Sequence, residues 1–353
     1  LKSIIIYGIL MVFCITALIG YFCSKTSNNT DLTSLKNRLN INKPGGVTSL
    51  PAKVMARIRK SALIPHQHPR VGIARGDDYA RETRIAVENA GGLKNLIKKG
   101  ETVLIKHNIC TATEFGTPTI TDYRIVQEIV NMVRECGASK IQIAEGPITG
   151  TVFDPVSIKM NGYSNIKGVE FIEINNLNKE DCYEIKPDKS LTEKALYIPK
   201  VYMDADLVIG APKLKTHFQP DAVVSLSLKN IFGTTSGNIY GAGFRSDLHN
   251  LGLKEAIVDL NKIRKPDFVV IDGIIGGEGY GPLNNTPVKS NIILAGEDPV
   301  AVDTVALNFM GFTVAEIPHV KLAAQEKLGI ADLNQIQIAG ADLIQIKMKF
   351  QRP

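Results

Sequence analysis

Thr102-Val-Leu-Ile105, then Thr121-Asp-Tyr-Arg-Ile-Val-Gln-Glu-Ile-Val-Asn-Met-Val-Arg-Glu-Cys136, then Lys140-Ile-Gln-Ile-Ala144 read in order as a strand, a helix and a strand. Ile125, Ile129, Met132 and Val133 recur at helical spacing on one face, Thr121 can cap the start, and Gly137 ends the run. The same alternation continues on either side. Val71–Ala74 predicts a strand, and Tyr79–Ala90 a helix closed by Gly91-Gly92. Val169–Ile174, Leu207–Gly210, Phe268–Ile271 and Asn291–Leu294 are further strand candidates. Asp298-Pro299 pairs an N-cap with a proline at the first helical position, and that helix runs to Met310 with Gly311 as its stop. Strands alternating with helices predict an α/β fold: a mostly parallel sheet covered by helices on both faces. In such sheets ligands bind beyond the carboxyl ends of the strands. Polar clusters fall at those ends: Lys106-His107-Asn108, Glu145-Gly146-Pro147, Lys213-Leu-Lys-Thr-His217 and Asp272-Gly273.

The charge is uneven along the chain. Residues 1–70 carry ten Lys or Arg against one acid, Asp31, while the other 283 hold 31 bases against 34 acids. The basic character therefore belongs to the N-terminal arm, which suits anionic lipid headgroups and gives no reason to expect nucleic-acid binding. Ile4 to Cys23 is an apolar run long enough to cross a bilayer core as one transmembrane helix. The bulky aromatics before Cys23 make a poor cleavage or lipidation site, so an uncleaved single-pass anchor is expected. Lys25, Lys36, Arg38 and Lys43 follow the run and favour a cytoplasmic domain. A short tail before a large domain favours an extracytoplasmic one, and the expectation leans that way. The organisation expected is an anchor over 1–24, a basic linker over 25–69 with one helix near Ala52 to Lys60, and a single α/β domain over 70–345. His66 and His68 form an H-x-H pair in that linker without a third ligand nearby. Cys110, Cys136 and Cys182 are isolated, and with no C-x-x-C no iron–sulfur cluster is expected.

The densest constellation of chemistry-bearing residues runs from Asp204 to Gly237. Lys213, Lys215 and His217 follow one strand, and Ser227-Leu-Lys-Asn230 follows within a dozen residues. Clustered lysines depress one another's pKa, and a lysine so shifted can act as base, proton donor or Schiff-base nucleophile. His217 can exchange protons near neutrality. Gly273 to Pro282 holds five glycines, reading as a loop that brings backbone close to a ligand or forms an anion nest. It is neither a Walker loop nor a dinucleotide fingerprint, since no Gly-Lys-Ser/Thr ending and no following helix are present. Asp272 precedes it, Glu278 lies within it, and the two could take a metal or a substrate hydroxyl. No serine-hydrolase, zinc-protease or kinase signature occurs. His217, Lys229 and Lys215 are the candidate catalytic residues. Lys106, Asn108, Thr121, Lys213, Asn230, Asp272, Glu278 and Gly279 are the candidate contacts to a small anionic ligand. No cofactor is named by these residues.

Four motifs in order carry a resemblance: Asp204-Ala-Asp-Leu-Val-Ile-Gly-Ala-Pro-Lys-Leu-Lys-Thr-His217, Ser227-Leu-Lys-Asn-Ile-Phe-Gly233, Gly277-Glu-Gly-Tyr-Gly-Pro282 and Leu294-Ala-Gly-Glu-Asp-Pro-Val-Ala-Val-Asp303. Over Val71 to Gly329 the chain resembles the family called domain of unknown function 362. That family has no settled activity. This chain departs from it twice: it lacks the ferredoxin-type module many members carry, and it has His107 where Lys-Pro-Asn is common. The second departure adds a candidate ligand or base at His107. A fainter similarity, to the N-terminal part of nickel-pincer lactate racemases, implies a proton moved by His217 beside Lys229. Two classes of function follow: an enzyme on a small anionic substrate, racemase-like proton transfer included, or a membrane-tethered binding protein without turnover. A closed pocket containing Lys229, His217 and Asp272 favours the first, a shallow basic groove the second.

Overall fold

Asp272 and Lys213 face each other across two parallel strands with Lys213 Nζ 2.8 Å from Asp272 Oδ2, both side chains wholly buried. The computed structural model describes residues 50–61 and 68–353, and this pair lies in the middle of its sheet. The strands are β1 (Arg70–Arg75), β2 (Thr102–His107), β3 (Lys140–Glu145), β4 (Glu170–Glu173), β5 (Cys182–Ile185), β6 (Leu196–Pro199), β7 (Leu207–Ala211), β8 (Lys213–Thr216), β9 (Val224–Ser225), β10 (Phe268–Glu278), β11 (Thr286–Gly296) and β12 (Gln337–Gly340). The main sheet runs β12-β1-β11-β10-β7-β2-β3-β4, with β8 paired to β10 and to β9, while β5 and β6 form a separate hairpin. Along that path only the pairings of β11 are antiparallel, so the sheet is mostly parallel, as the βα alternation predicts.

Helices cover both faces. On one lie α2 (Tyr79–Asn89) and α3 (Tyr123–Glu135). The other face carries α5 (Leu253–Arg264), α6 (Pro299–Met310) and α7 (Pro318–Gln325), with α1 (Ala52–Ser61) at its margin and the short α4 (Ser227–Asn230) among them. Ile125, Ile129, Met132 and Val133 are buried as their spacing requires, each worth about 1.5–3 kcal/mol in apolar burial. Asp298 caps α6 by accepting from Val300 N and Ala301 N, and Gly311 stops it at φ 79°. The α3 cap is one residue later than expected. Asp122 accepts from Arg124 N, whereas the Thr121 hydroxyl accepts from Asn108 N at 3.1 Å and donates to Ala211 O at 2.7 Å, tying the ends of β2 and β7 together.

Two stretches that read as loops are strands. Lys213–Thr216 is β8. Gly273–Glu278 continues β10 past a bulge between Gly273 and Ile275 and is no ligand-embracing loop. Its glycines serve close packing: a Cβ on Gly277 would stand 2.8 Å from Asn285 Cβ. The apolar run Ile4–Cys23, its two cysteines, most of the basic linker and His66 lie outside the described residues. Among the described residues no helix is long and apolar enough to cross a membrane. His68 is exposed, with Nδ1 3.3 Å from Gln335 O.

The Asp272 carboxylate also accepts from Asp122 N at 2.8 Å, so it joins β10, β8 and the start of α3. Burial raises its pKa, and Lys213 pulls it back down. Lys213→Met should cost about 3–5 kcal/mol of unfolding free energy, because it strands a buried charge. Lys213→Met/Asp272→Asn should recover most of that in urea denaturation. A loss below about 1 kcal/mol in the single variant, a surface-pair value, would show that the pair is not a structural latch.

Candidate functional site

Period-two alternation turns Lys106 to one face of the sheet and His107 to the other. Lys106 Nζ lies 2.9 Å from Glu145 Oε1, at the neighbouring end of β3, and donates to His107 O at 2.6 Å and Asn230 Oδ1 at 3.2 Å. Burial lowers the Lys106 pKa, and the Glu145 carboxylate opposes that. Glu145 also accepts from the backbone of Ile109 and Gly146. The chain closes tightly over this pair: a Cβ on Gly233 would meet Glu145 Oε1 at 2.8 Å and Lys106 Nζ at 3.0 Å. His107 packs instead against Tyr163 and Phe153, with ring centroids 4.6 and 5.7 Å away. Neither of its nitrogens has a hydrogen-bond partner among the described residues. Burial, and then Lys106, hold its pKa well below the usual value. It is a neutral core imidazole on the far side of the sheet and does not reach the cavity.

That cavity, of ≈ 70 Å³, opens beyond the ends of β2, β3 and β7. Lys106, Asn108, Lys213, His217, Lys229 and Asn230 all line it, so the three separate stretches holding Lys106, Lys213 with His217, and Lys229 converge. Of the other candidates, Lys215 lies just behind the wall, fully buried, with Nζ 3.1 Å from the Sγ of lining Cys110 and 2.6 Å from Thr119 O. Thr121, Asp272, Glu278 and Gly279 are not on the wall. Glu278 accepts from Gln351 N, Gly279 O from the Thr216 hydroxyl, and Asp272 is committed to Lys213. These bonds remove Asp272 and Glu278 as a metal pair. Among the described residues no group of three or more His, Cys, Asp or Glu is placed to hold a metal.

Lys229 is set by Asp303. From α6 that carboxylate accepts from Ser227 N at 2.8 Å, from Leu228 N at 3.0 Å and from the Ser227 hydroxyl, which anchors the first turn of α4. Burial pushes Asp303 up to about 7, against those donors. Lys229 then projects to the cavity with Nζ 5.4 Å from the centre of the Phe232 ring. Its ammonium differs from those of Lys106, Lys213 and Lys215: among the described residues it has no hydrogen-bond or ion-pair partner. Burial, with Lys215, Arg245 and Lys106 adding to it, lowers its pKa to about 8.

His217 is nearly buried, and its Nδ1 accepts from Gln219 N at 3.2 Å. That bond assigns the ring proton to Nε2. Burial, then Lys229 and Lys215, hold its pKa well below the ordinary value. The ring is therefore neutral at physiological pH and offers an N–H. Arg245 completes the wall from a left-handed backbone (φ 50°), its guanidinium bonded to Thr235 O, Gly243 O, Gly146 O and Asn175 Oδ1. Burial lowers its pKa to about 10. On the wall Lys106, Lys213, Lys229 and Arg245 stand with one carboxylate, Glu145, while Asp272 pairs with Lys213 from behind it, which leaves the cavity electropositive.

Sequence reasoning missed Arg245, Cys110 and Asp303 as site residues. Asp303 stood in a recognised motif as a helix residue, and Cys110 read as an isolated cysteine. Arg245 carries no local signal. Glu145 had one, its place at a strand end.

The chain is similar to known proteins. A crystal structure of a protein from Thermotoga maritima aligns with 71% of this chain at 13% identity and a TM-score of 0.42, and this chain spans 60% of that one. A thylakoid-associated protein of Synechocystis sp. is 30% identical over 256 residues, which cover 70% of this chain and 74% of that protein. The family profile described as a domain of unknown function, DUF362, matches residues 103–308, over β2 through most of α6, and the chain belongs to that family.

Proposed function

We propose that this DUF362 member is an enzyme acting on a small anionic substrate, with Lys229 as the proton carrier. The observation that carries the reading is the contrast among the lysines. Lys106 and Lys213 are neutralised by carboxylates and Lys215 is held by carbonyls and Cys110, while Lys229 meets the cavity unpartnered. Lys229 is partly exposed at the cavity and has no counter-ion there among the described residues, and an anion in the cavity supplies one. Arg245, Asn108 and Asn230 add charge and polar contacts. His217 donates its Nε2–H to an oxygen of the substrate, a role its neutral tautomer suits better than proton abstraction. With a pKa of about 8, Lys229 is partly free amine near neutrality. An arriving anion raises that pKa, so Lys229 takes up a proton on binding and can deliver it to the substrate. Lys229 beside His217 also accommodates racemase-like proton transfer. The second reading, binding without turnover, is favoured by Glu145: the carboxylate on the wall is committed to Lys106 and two backbone N–H groups, so it is not free as a base.

Membrane attachment through residues 4–23 is proposed alongside. The thylakoid-associated relative supports a site of action at a membrane, and alkaline carbonate should fail to extract the full chain from membranes. Extraction would rule out an embedded anchor.

Sulfate keeps its charge through neutral and alkaline pH and isolates the protein's titration. Its affinity should fall as pH rises past about 8, with proton uptake near pH 8 seen as a buffer-dependent calorimetric enthalpy. A flat profile between pH 7 and 10 would remove Lys229 from the site.

The stability effect has the opposite sign to that of a paired lysine. The folded pKa is below the unfolded one, so between about 8 and the ordinary lysine value the unfolded chain binds more protons and stability rises with pH. Charged Lys229 therefore weakens the fold at neutral pH. Lys229→Met should weaken sulfate binding by at least about tenfold, or ~1.4 kcal/mol, while leaving Tm unchanged or higher. A drop in Tm like that of Lys213→Met would make Lys229 structural.

A further inference from the structure

The cavity is small compared with the surface that surrounds it. At ≈ 70 Å³ it has room for roughly five water-sized occupants, enough for a phosphate or carboxylate group and little more. Whatever else the ligand carries must lie outside. Four aromatic side chains are exposed among the described residues: Phe115, Phe218, Phe244 and Tyr280. Three of them adjoin wall residues in the chain. Phe218 follows His217, Phe244 precedes Arg245, and Tyr280 stands two residues before Pro282.

Phe218 and Tyr280 form a ramp from the wall to solvent. The His217 ring stacks on Phe218 at 5.3 Å, and Phe218 on Tyr280 at 5.3 Å. The three residues are 4%, 44% and 62% exposed in that order. Phe218 N donates to Gly281 O at 3.0 Å, which binds the two loops together beside the wall. Aromatic surface left in water at the margin of a charged cavity is a recognition feature.

We propose that the ligand is an organic anion, a phosphate ester or carboxylate bearing an apolar substituent. Its charged head occupies the cavity beside Lys229, and its apolar portion lies on Phe218 and Tyr280, with Phe244 at the rim. This rests on the anionic-substrate reading and narrows it: bare inorganic anions and fully polar metabolites leave the ramp unused. A free aromatic ester and a lipid headgroup share this chemistry.

Three probes test the proposal by calorimetry on the full chain: inorganic phosphate, phenyl phosphate, and dihexanoyl phosphatidic acid below its micelle concentration. Phenyl phosphate or the short lipid should bind roughly three- to tenfold more tightly than inorganic phosphate, the range of one aromatic contact. A gain with phenyl phosphate supports a free ester, and a gain with the lipid alone supports a headgroup. In Tyr280→Ala and Phe218→Leu the gain should vanish while inorganic phosphate binds as before. Tyr280 is mostly exposed, so its removal should leave folding intact. Equal affinity for all three probes, or a gain that survives both substitutions, overturns the proposal and leaves the small-anion reading standing. Absence of binding by every probe overturns that reading as well.

Discussion

A charge buried without compensation is the most expensive feature a fold can carry, and the Asp272–Lys213 pair shows how this one is answered. Asp272 gathers Lys213 from β8, the backbone N–H of Asp122 at the head of α3, and its own strand β10 into one point. No water is needed to satisfy it. Lys106 and Glu145 repeat the device across β2 and β3. The first pair braces the middle of the sheet, and the second braces the ends of β2 and β3, which is where an α/β fold places its ligand crevice. The wall of the cavity is thus built from charges already spent on one another.

Lys229 belongs to the same neighbourhood and escapes the same treatment. Asp303 is near its helix, but that carboxylate is taken up by the Ser227 hydroxyl and two backbone N–H groups. It orients Lys229 without neutralising it. His217, similarly, is fixed by a backbone N–H at Nδ1 and lines the cavity with Nε2 left out of that bond. Each residue is held rigidly by atoms away from its reactive end, an arrangement that preorganises chemistry at the expense of stability.

The layered sheet was legible because strand and helix periods alternate cleanly from Val71 to Met310, and the caps at Asp298 and Gly311 are local chemistry. Gly273–Glu278 was not legible. Its glycines look like a flexible loop, yet they are required by close contacts such as Gly277 with Asn285, which only the fold creates. Thr121 and Asp122 are equally good caps by type, and the carbonyl of Ala211, ninety residues away, decides between them. The convergence of Lys106, Lys213, His217 and Lys229 could be inferred, since each follows a strand end. Their different fates could not. Lys213 and Lys229 are the same residue type in similar polar contexts. What separates them is a carboxylate fifty-nine residues from the first, which pairs with it, and one near the second that is committed to Ser227 and Leu228 instead.

The same logic explains why Thr121, Asp272, Glu278 and Gly279 left the wall while Arg245 joined it. Residues after a strand look available for a ligand until a neighbour claims them: Lys213 of β8 takes Asp272, the extension of β10 takes Glu278 and the chain at Gly279, and the carbonyl of Ala211 at the end of β7 takes Thr121. Arg245 is placed by the reverse process. Its left-handed backbone and its acceptors come from turns, loops and one short 3-10 turn at Asn175, so no period announces it. An arginine held entirely by neutral acceptors keeps its full charge directed at the cavity. That charge adds to the ammonium of Lys229, and the two together are what the proposed anionic ligand would answer.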